Sequence, residues 1–233
     1  MPDTPYHKAG STHFVHIGNA MQTAGFYDDA CYQFYQVRLL NCAKSYQVDL
    51  HAYVLMKDRI LILATPRTGT CLGALIRFLN TSYSRYFSTR FERNLRVWRD
   101  SYFSCLLDDR DLVMECQKYI EAAPLSMRLV DHPGAYLWSS YCSNSFGGRQ
   151  DLLVRHKAFT AYLARRANAL ADYREFVATP FPLNSAFAAE ITRLDCEENR
   201  NFTTEIAGSH KVAETRLGFT AYGEEKVLTK THT

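Results

Sequence analysis

Residues 49–65 read DLHAYVLM, then KD, then RILILAT. Two apolar runs rich in β-branched and aromatic side chains, parted only by Lys57 and Asp58, predict a β-hairpin. Pro66 and Gly69 punctuate its end. Working back from this hairpin, residues 28–46 carry Tyr32, Tyr35, Leu39, Leu40 and Ala43 at helical spacing. Asp28 and Asp29 sit where carboxylates favour a helix start. Before it, residues 12–17 (THFVHI) read as a strand that closes at Gly18 and Asn19.

Downstream of the hairpin, residues 71–90 return to a helical period through Leu72, Leu75, Ile76, Leu79, Tyr83, Tyr86 and Phe87. Residues 101–107 (SYFSCLL) predict a fourth strand. Residues 109–121 predict a helix that stops at Pro124, because proline has no amide hydrogen for the ladder. The order β-α-β-β-α-β followed by a helix is the ferredoxin-like arrangement of the α+β class, an antiparallel sheet with helices on one face. The expected organisation is a core at residues 11–135, a helical C-terminal extension at 136–207, and a mobile tail at 208–233, where large apolar side chains are few.

Composition narrows the function classes. Hydrophobic residues make up 47% and charged residues 22% of the 233, which suits a globular chain with a real core. The net charge of +3 barely favours an anionic partner, so a nucleic-acid site must come from local clustering of arginine. Seven scattered cysteines without a C-x-x-C pair suit neither a disulfide framework nor a zinc knuckle, and a reducing cytoplasm is expected. No signal peptide is visible at the N-terminus, and no apolar stretch approaches a membrane span.

Three local words are more specific than the fold order. They are His51-Ala52-Tyr53-Val54-Leu55-Met56-Lys57-Asp58-Arg59-Ile60-Leu61, then Tyr119-Ile120-Glu121-Ala122-Ala123-Pro124, then Pro133, Tyr136, Trp138, Ser139, Ser140 and Tyr141. In order and spacing they resemble the REP-associated tyrosine transposases, HUH enzymes that act on single-stranded DNA. Smaller echoes are Gly18-Asn19, Trp98, Arg155-His156-Lys157, Tyr173-Arg174 and Phe176. The resemblance runs from about residue 12 to residue 207.

The resemblance implies attack of a tyrosine hydroxyl, here Tyr119, on a DNA phosphodiester. A phenol titrates near 10, so such a nucleophile needs help, which in this family comes from Mg or Mn polarising the phosphate. Two histidines at i and i+2 of one strand and an Asn or Gln one helical turn after the tyrosine would hold that ion. In this sequence those positions carry Arg59, Leu61 and Ala123. Leucine and alanine have no donor atom, and arginine is a permanent cation. No cofactor is therefore expected. The alternative is a displaced site built from His13, His16 or His51 with Asp58. His13 and His16 are three apart on a strand, so they face opposite sides and cannot chelate together.

Other residues have two readings each. Tyr119 is a residual nucleophile position or a packing tyrosine. Arg59 binds phosphate where the ion would sit, or pairs with Asp58 or Asp100. Arg77, Arg85, Arg90, Arg93, Arg96 and Arg99, interleaved with Tyr83, Tyr86, Phe87, Phe91 and Trp98, suit a single strand through phosphate contact and base stacking, or form a solvated face over a core stripe. Arg165 and Arg166 add a weaker basic spot. Trp138 and Tyr141 are expected to staple the extension to the core.

Three functions follow. The leading one is a catalytically silent transposase-like protein that binds hairpins of single-stranded DNA or RNA in regulation. The others are a working nickase with an unusual metal site, and an interaction scaffold without nucleic-acid binding. A homodimer is compatible with the resemblance.

Overall fold

The computed structural model describes residues 7–20, 24–99, 101–147, 152–179, 220–221 and 227–228. Its core elements are β1 (Thr12–Gly18), α1 (Asp29–Ser45), β2 (Val48–Leu55), β3 (Arg59–Pro66), α2 (Cys71–Phe91), β4 (Phe103–Leu107) and α3 (Arg110–Ser126). The strands lie in the order β2-β3-β1-β4, and every pairing among them is antiparallel. Two short strands, β5 (Thr220–Ala221) and β6 (Val227–Leu228), add to the outer edge of β4. Apart from these, the expected tail at 208–233 lies outside the described residues, as does the extension beyond residue 179.

Local chemistry explains the boundaries. Asp28 caps α1, its carboxylate accepting from the Cys31 amide at 3.0 Å, and Asp109 caps α3 by accepting from the Asp111 and Leu112 amides. One boundary differs from expectation, because α3 runs through Pro124 to Ser126. Proline removes only one ladder bond there, and the chain turns out of the helix at Arg128, whose φ is 56°. The bonds Met127 N–H to Ala123 O and Leu129 N–H to Pro124 O close the end.

The sheet is covered on both faces. Alternation sends Val15, Ile17, Tyr53, Leu55, Ile60 and Ile62 toward α1 and α2. Phe14, Ala52, Val54, Leu61, Leu63 and Cys105 face α3 and the extension helices α5 (Lys157–Ala164) and α6 (Ala169–Ala178). The two helices of the β-α-β-β-α-β unit, α1 and α2, share one face as expected, and the helix after the fourth strand seals the opposite side.

Segment 138–140 runs along the edge of β2, with Leu55 N–H donating to Trp138 O and Ser140 N–H to Tyr53 O. Farther along, Val154 N–H donates to Leu50 O. An edge strand that would otherwise present open amides is thus covered. Trp138 stacks on Tyr32 at 5.1 Å, and Tyr141, at the start of α4 (Tyr141–Phe146), is fully buried.

Candidate nucleic-acid interface

Tyr119 and Ala123 are one turn apart on α3, in the cluster that also takes in Phe14 of β1 and Leu61 of β3. Tyr119 is half-buried and meets Phe14 edge-on at 6.2 Å. Leu61 and Ala123 are buried in the same apolar cluster. Arg59, two residues before Leu61, lies on the same face of β3, and its guanidinium bonds Asp58 at 2.7 Å.

His16 completes this corner. It sits opposite Leu61 on β3 and opposite Phe103 on β4, with its side chain on the α3 face beside Phe14. Burial, then the nearby charges of Arg59 and Arg99, pull its pKa down to about 3, while Asp58 opposes them. It is therefore neutral at ordinary pH. Arg99 is anchored by its amide on Gly18 O and its Nε on Asn19 O. Two guanidinium groups thus act on His16 at one corner of the sheet. His13, as expected, lies on the other face, edge-on to His7 at 4.9 Å.

The residues carrying this corner match a known family. The family described as Transposase IS200 like matches residues 8–123, from before the first strand to Ala123. The chain belongs to the IS200-like transposase family. A solved structure titled "Structure of the REP associates tyrosine transposase bound to a REP hairpin" is similar in fold, with a TM-score of 0.53 at 11% identity. That likeness covers 68% of this chain and 93% of the other. No curated protein matches this chain in sequence.

At the three positions that the resemblance assigns to a metal, the side chains present do not fit a metal ion. Arg59 is a cation, and Leu61 and Ala123 offer no electron pair. Among the described residues no three His, Cys, Asp or Glu side chains gather in a way that could hold one. His51 is committed elsewhere, with Nδ1 bonding Val154 O at 2.6 Å and Nε2 meeting Thr65 Oγ1 at 2.8 Å. Asp58 bonds Arg59.

The arginines and aromatics of α2 are a separate group, on the opposite side of the sheet. Tyr83 is a correction to the expected binding set. It is fully buried among Phe26, Tyr35 and Trp98, and its hydroxyl donates to Gly25 O at 2.7 Å. Phe87 and Trp98 are core residues for the same reason. Tyr86 is half-buried and stacks on Phe34 at 4.0 Å. Arg90 is exposed but held by Asp28 at 2.6 Å and by the Tyr86 hydroxyl, and Arg93 reaches the Tyr27 hydroxyl at 3.3 Å. Arg77, Arg85 and Arg96 are exposed.

The sequence raises His16 only as a partner for Asp58 in a displaced metal site, and does not single out Arg99 for this corner. The strand order of a ferredoxin-like sheet places β1 beside β3, so His16 was within reach of that reasoning. Arg99 was legible only as one arginine among six. Among the described residues, no helix is long and apolar enough to cross a membrane.

Proposed function

We propose that this IS200-like chain binds structured single-stranded nucleic acid, a hairpin of DNA or RNA, without cutting it. The observation that carries the reading is the corner around His16, on the face of the sheet that α3 covers, where Arg59 and Arg99 supply positive charge and Leu61 offers no donor. A guanidinium at that place can accept the phosphate that a metal ion would otherwise hold, by charge-assisted hydrogen bonds. The fold neighbour's hairpin supports the choice of ligand. A protein that covers a hairpin and leaves it intact fits regulation, as a repressor or silencing partner.

The test is fluorescence anisotropy of labelled hairpins, matched duplexes and unstructured strands at two salt concentrations. A denaturing gel with manganese present looks for a covalent adduct on Tyr119. Hairpin binding that weakens with salt, with no adduct, is the expected result. An adduct would make the chain a nickase, and absence of all binding at low salt would leave a protein-interaction scaffold.

A further inference from the structure

Helix α2 has 21 residues and contains no Asp or Glu. Its outward side carries Arg77, Thr81, Ser84, Arg85, Ser88 and Thr89. A helix face shaped only by solvent ordinarily mixes charge signs at i,i+4 and uses Glu, Lys, Gln or Ala. Serine and threonine are weaker helix formers, since their hydroxyls compete for backbone groups. This face is cationic and hydroxyl-rich.

Two adjoining clefts lie along it. One, of about 440 Å³ between α1 and α2, is lined by Phe34, Arg38, Phe78, Arg85 and Tyr86 among others. The second, of about 500 Å³, is lined by residues including Asn80, Ser84, Arg85, Asn94 and Arg96. Thr81, Arg85 and Thr89 belong to both, and no carboxylate lines either. Arg38 lies over the Phe34 ring at 4.3 Å, and its shielded Nε–H finds no acceptor among the described residues. The cleft among α3, α5 and α6 differs, because Asp111 and Glu115 face its Arg110, Arg165 and Arg166.

We propose that the α1–α2 groove is a second nucleic-acid site, a track for an unpaired strand, on the face of the sheet opposite Tyr119. The inference rests on the reading of the chain as a hairpin binder and adds where the single-stranded flank runs. Arg38, Arg85 and Arg96 neutralise phosphates, and the hydroxyls of Thr81, Ser84 and Ser88 donate to phosphate oxygens. Phe78 and Tyr86 offer ring surface to bases, which carries no sequence demand, while Phe34 backs the groove between Tyr86 and Arg38. The sheet separates this track from Arg59, while Arg99, whose carbonyl accepts from Asn80 of the second cleft, marks where the two sites come nearest.

The experiment titrates the full chain with two probes, an oligothymidylate of about 12 nucleotides, within the span such grooves cover, and a blunt hairpin without flanks. The variant is Arg38→Ala/Arg85→Ala/Arg96→Ala, with circular dichroism and the thermal midpoint as folding controls. Oligothymidylate affinity is expected to fall about tenfold or more, its salt slope to drop by about 2, and the blunt hairpin to be unaffected. Single-site Arg85→Glu, which leaves Arg38 packed on Phe34, should weaken the same probe alone. Unchanged oligothymidylate binding in both variants, with the wild type binding it, overturns the track and leaves the hairpin reading standing. A wild type that binds neither probe overturns both.

Discussion

Ser140 donates a 2.6 Å hydrogen bond to Oε1 of Glu121, a carboxylate with no solvent exposure. Asn144 donates to the same oxygen at 2.7 Å and Tyr173 to Oε2 at 2.7 Å. Ser140 also accepts from the Tyr53 amide, and Asn144 donates to His51 O. The three sequence words that define the family resemblance therefore meet at one polar knot between the core helix, the edge strand and the extension.

Removing the acceptor should be costly. Glu121→Ala leaves three buried donors without a partner, each worth about 1–3 kcal/mol when orphaned. We expect a loss of at least about 3 kcal/mol in urea unfolding, against about 1 kcal/mol for Ser140→Ala. Equal, small effects would show that the extension docks through its apolar contacts alone.

Tyr119→Phe should leave hairpin affinity nearly unchanged, because binding through Arg59 and Arg99 does not need the hydroxyl. A large loss of binding in anisotropy would count against a silent binder and favour a direct role for the phenol.

Arg59→Ala and Arg99→Ala test the charged corner. Each should weaken hairpin binding and reduce the salt slope by about 0.7–0.9, the share of one phosphate contact. Identical slopes in wild type and variants would place the hairpin elsewhere on the molecule.

Rebuilding the ligand set is a gain-of-function test. The triple variant Arg59→His, Leu61→His, Ala123→Asn is expected to take up manganese in calorimetry, since positions 59 and 61 share one face of β3 and Leu61 and Ala123 share one cluster. It should also be less stable without metal by about 1–3 kcal/mol, because Leu61 is buried and an imidazole there lacks partners. No uptake by a folded variant would mean that the backbone at this corner has moved out of ligand geometry.

Acid should loosen the extension. His156 Nδ1 accepts from the Ala158 amide, which leaves its proton on Nε2 facing Thr12 Oγ1 at 2.9 Å. Thr12 meets Thr65, and Thr65 meets His51 Nε2, so both imidazoles are held neutral. Burial, then His51 and Lys157, lower the His156 pKa to about 4, and burial lowers that of His51. With folded pKa values below the unfolded one near 6.5, their contribution is intact above that pH and is lost as pH falls toward 4. His16 extends the window toward 3, while the raised pKa of Glu121 works in the opposite sense. Unfolding free energy should therefore fall with acidification by up to about 1.4 kcal/mol per pH unit for each such histidine. His156→Asn, which keeps a capping side chain, should flatten that slope. An unaltered slope would assign the acid sensitivity to other groups.

The hairpin at residues 49–65, the carboxylate caps and the β-α-β-β-α-β order were legible in the sequence because each rests on local rules: period, turn chemistry and capping. That Arg59, Leu61 and Ala123 offer no metal-binding electron pair needs only side-chain identity. Tertiary packing decided the rest. Tyr83 and Tyr86 sit three residues apart on α2 with similar chemistry, yet one is sealed among Phe26, Tyr35 and Trp98 and the other opens onto a groove. No periodicity argument separates them, since the boundary of a buried stripe depends on what packs across it. The same holds for α3, whose pattern allows a buried face but does not say which side of the sheet it seals. Only the three-dimensional chain places His16 and Arg99 beside Arg59, or sets the arginines of α2 on the opposite face, because strand pairing and side-chain alternation turn distant positions into neighbours.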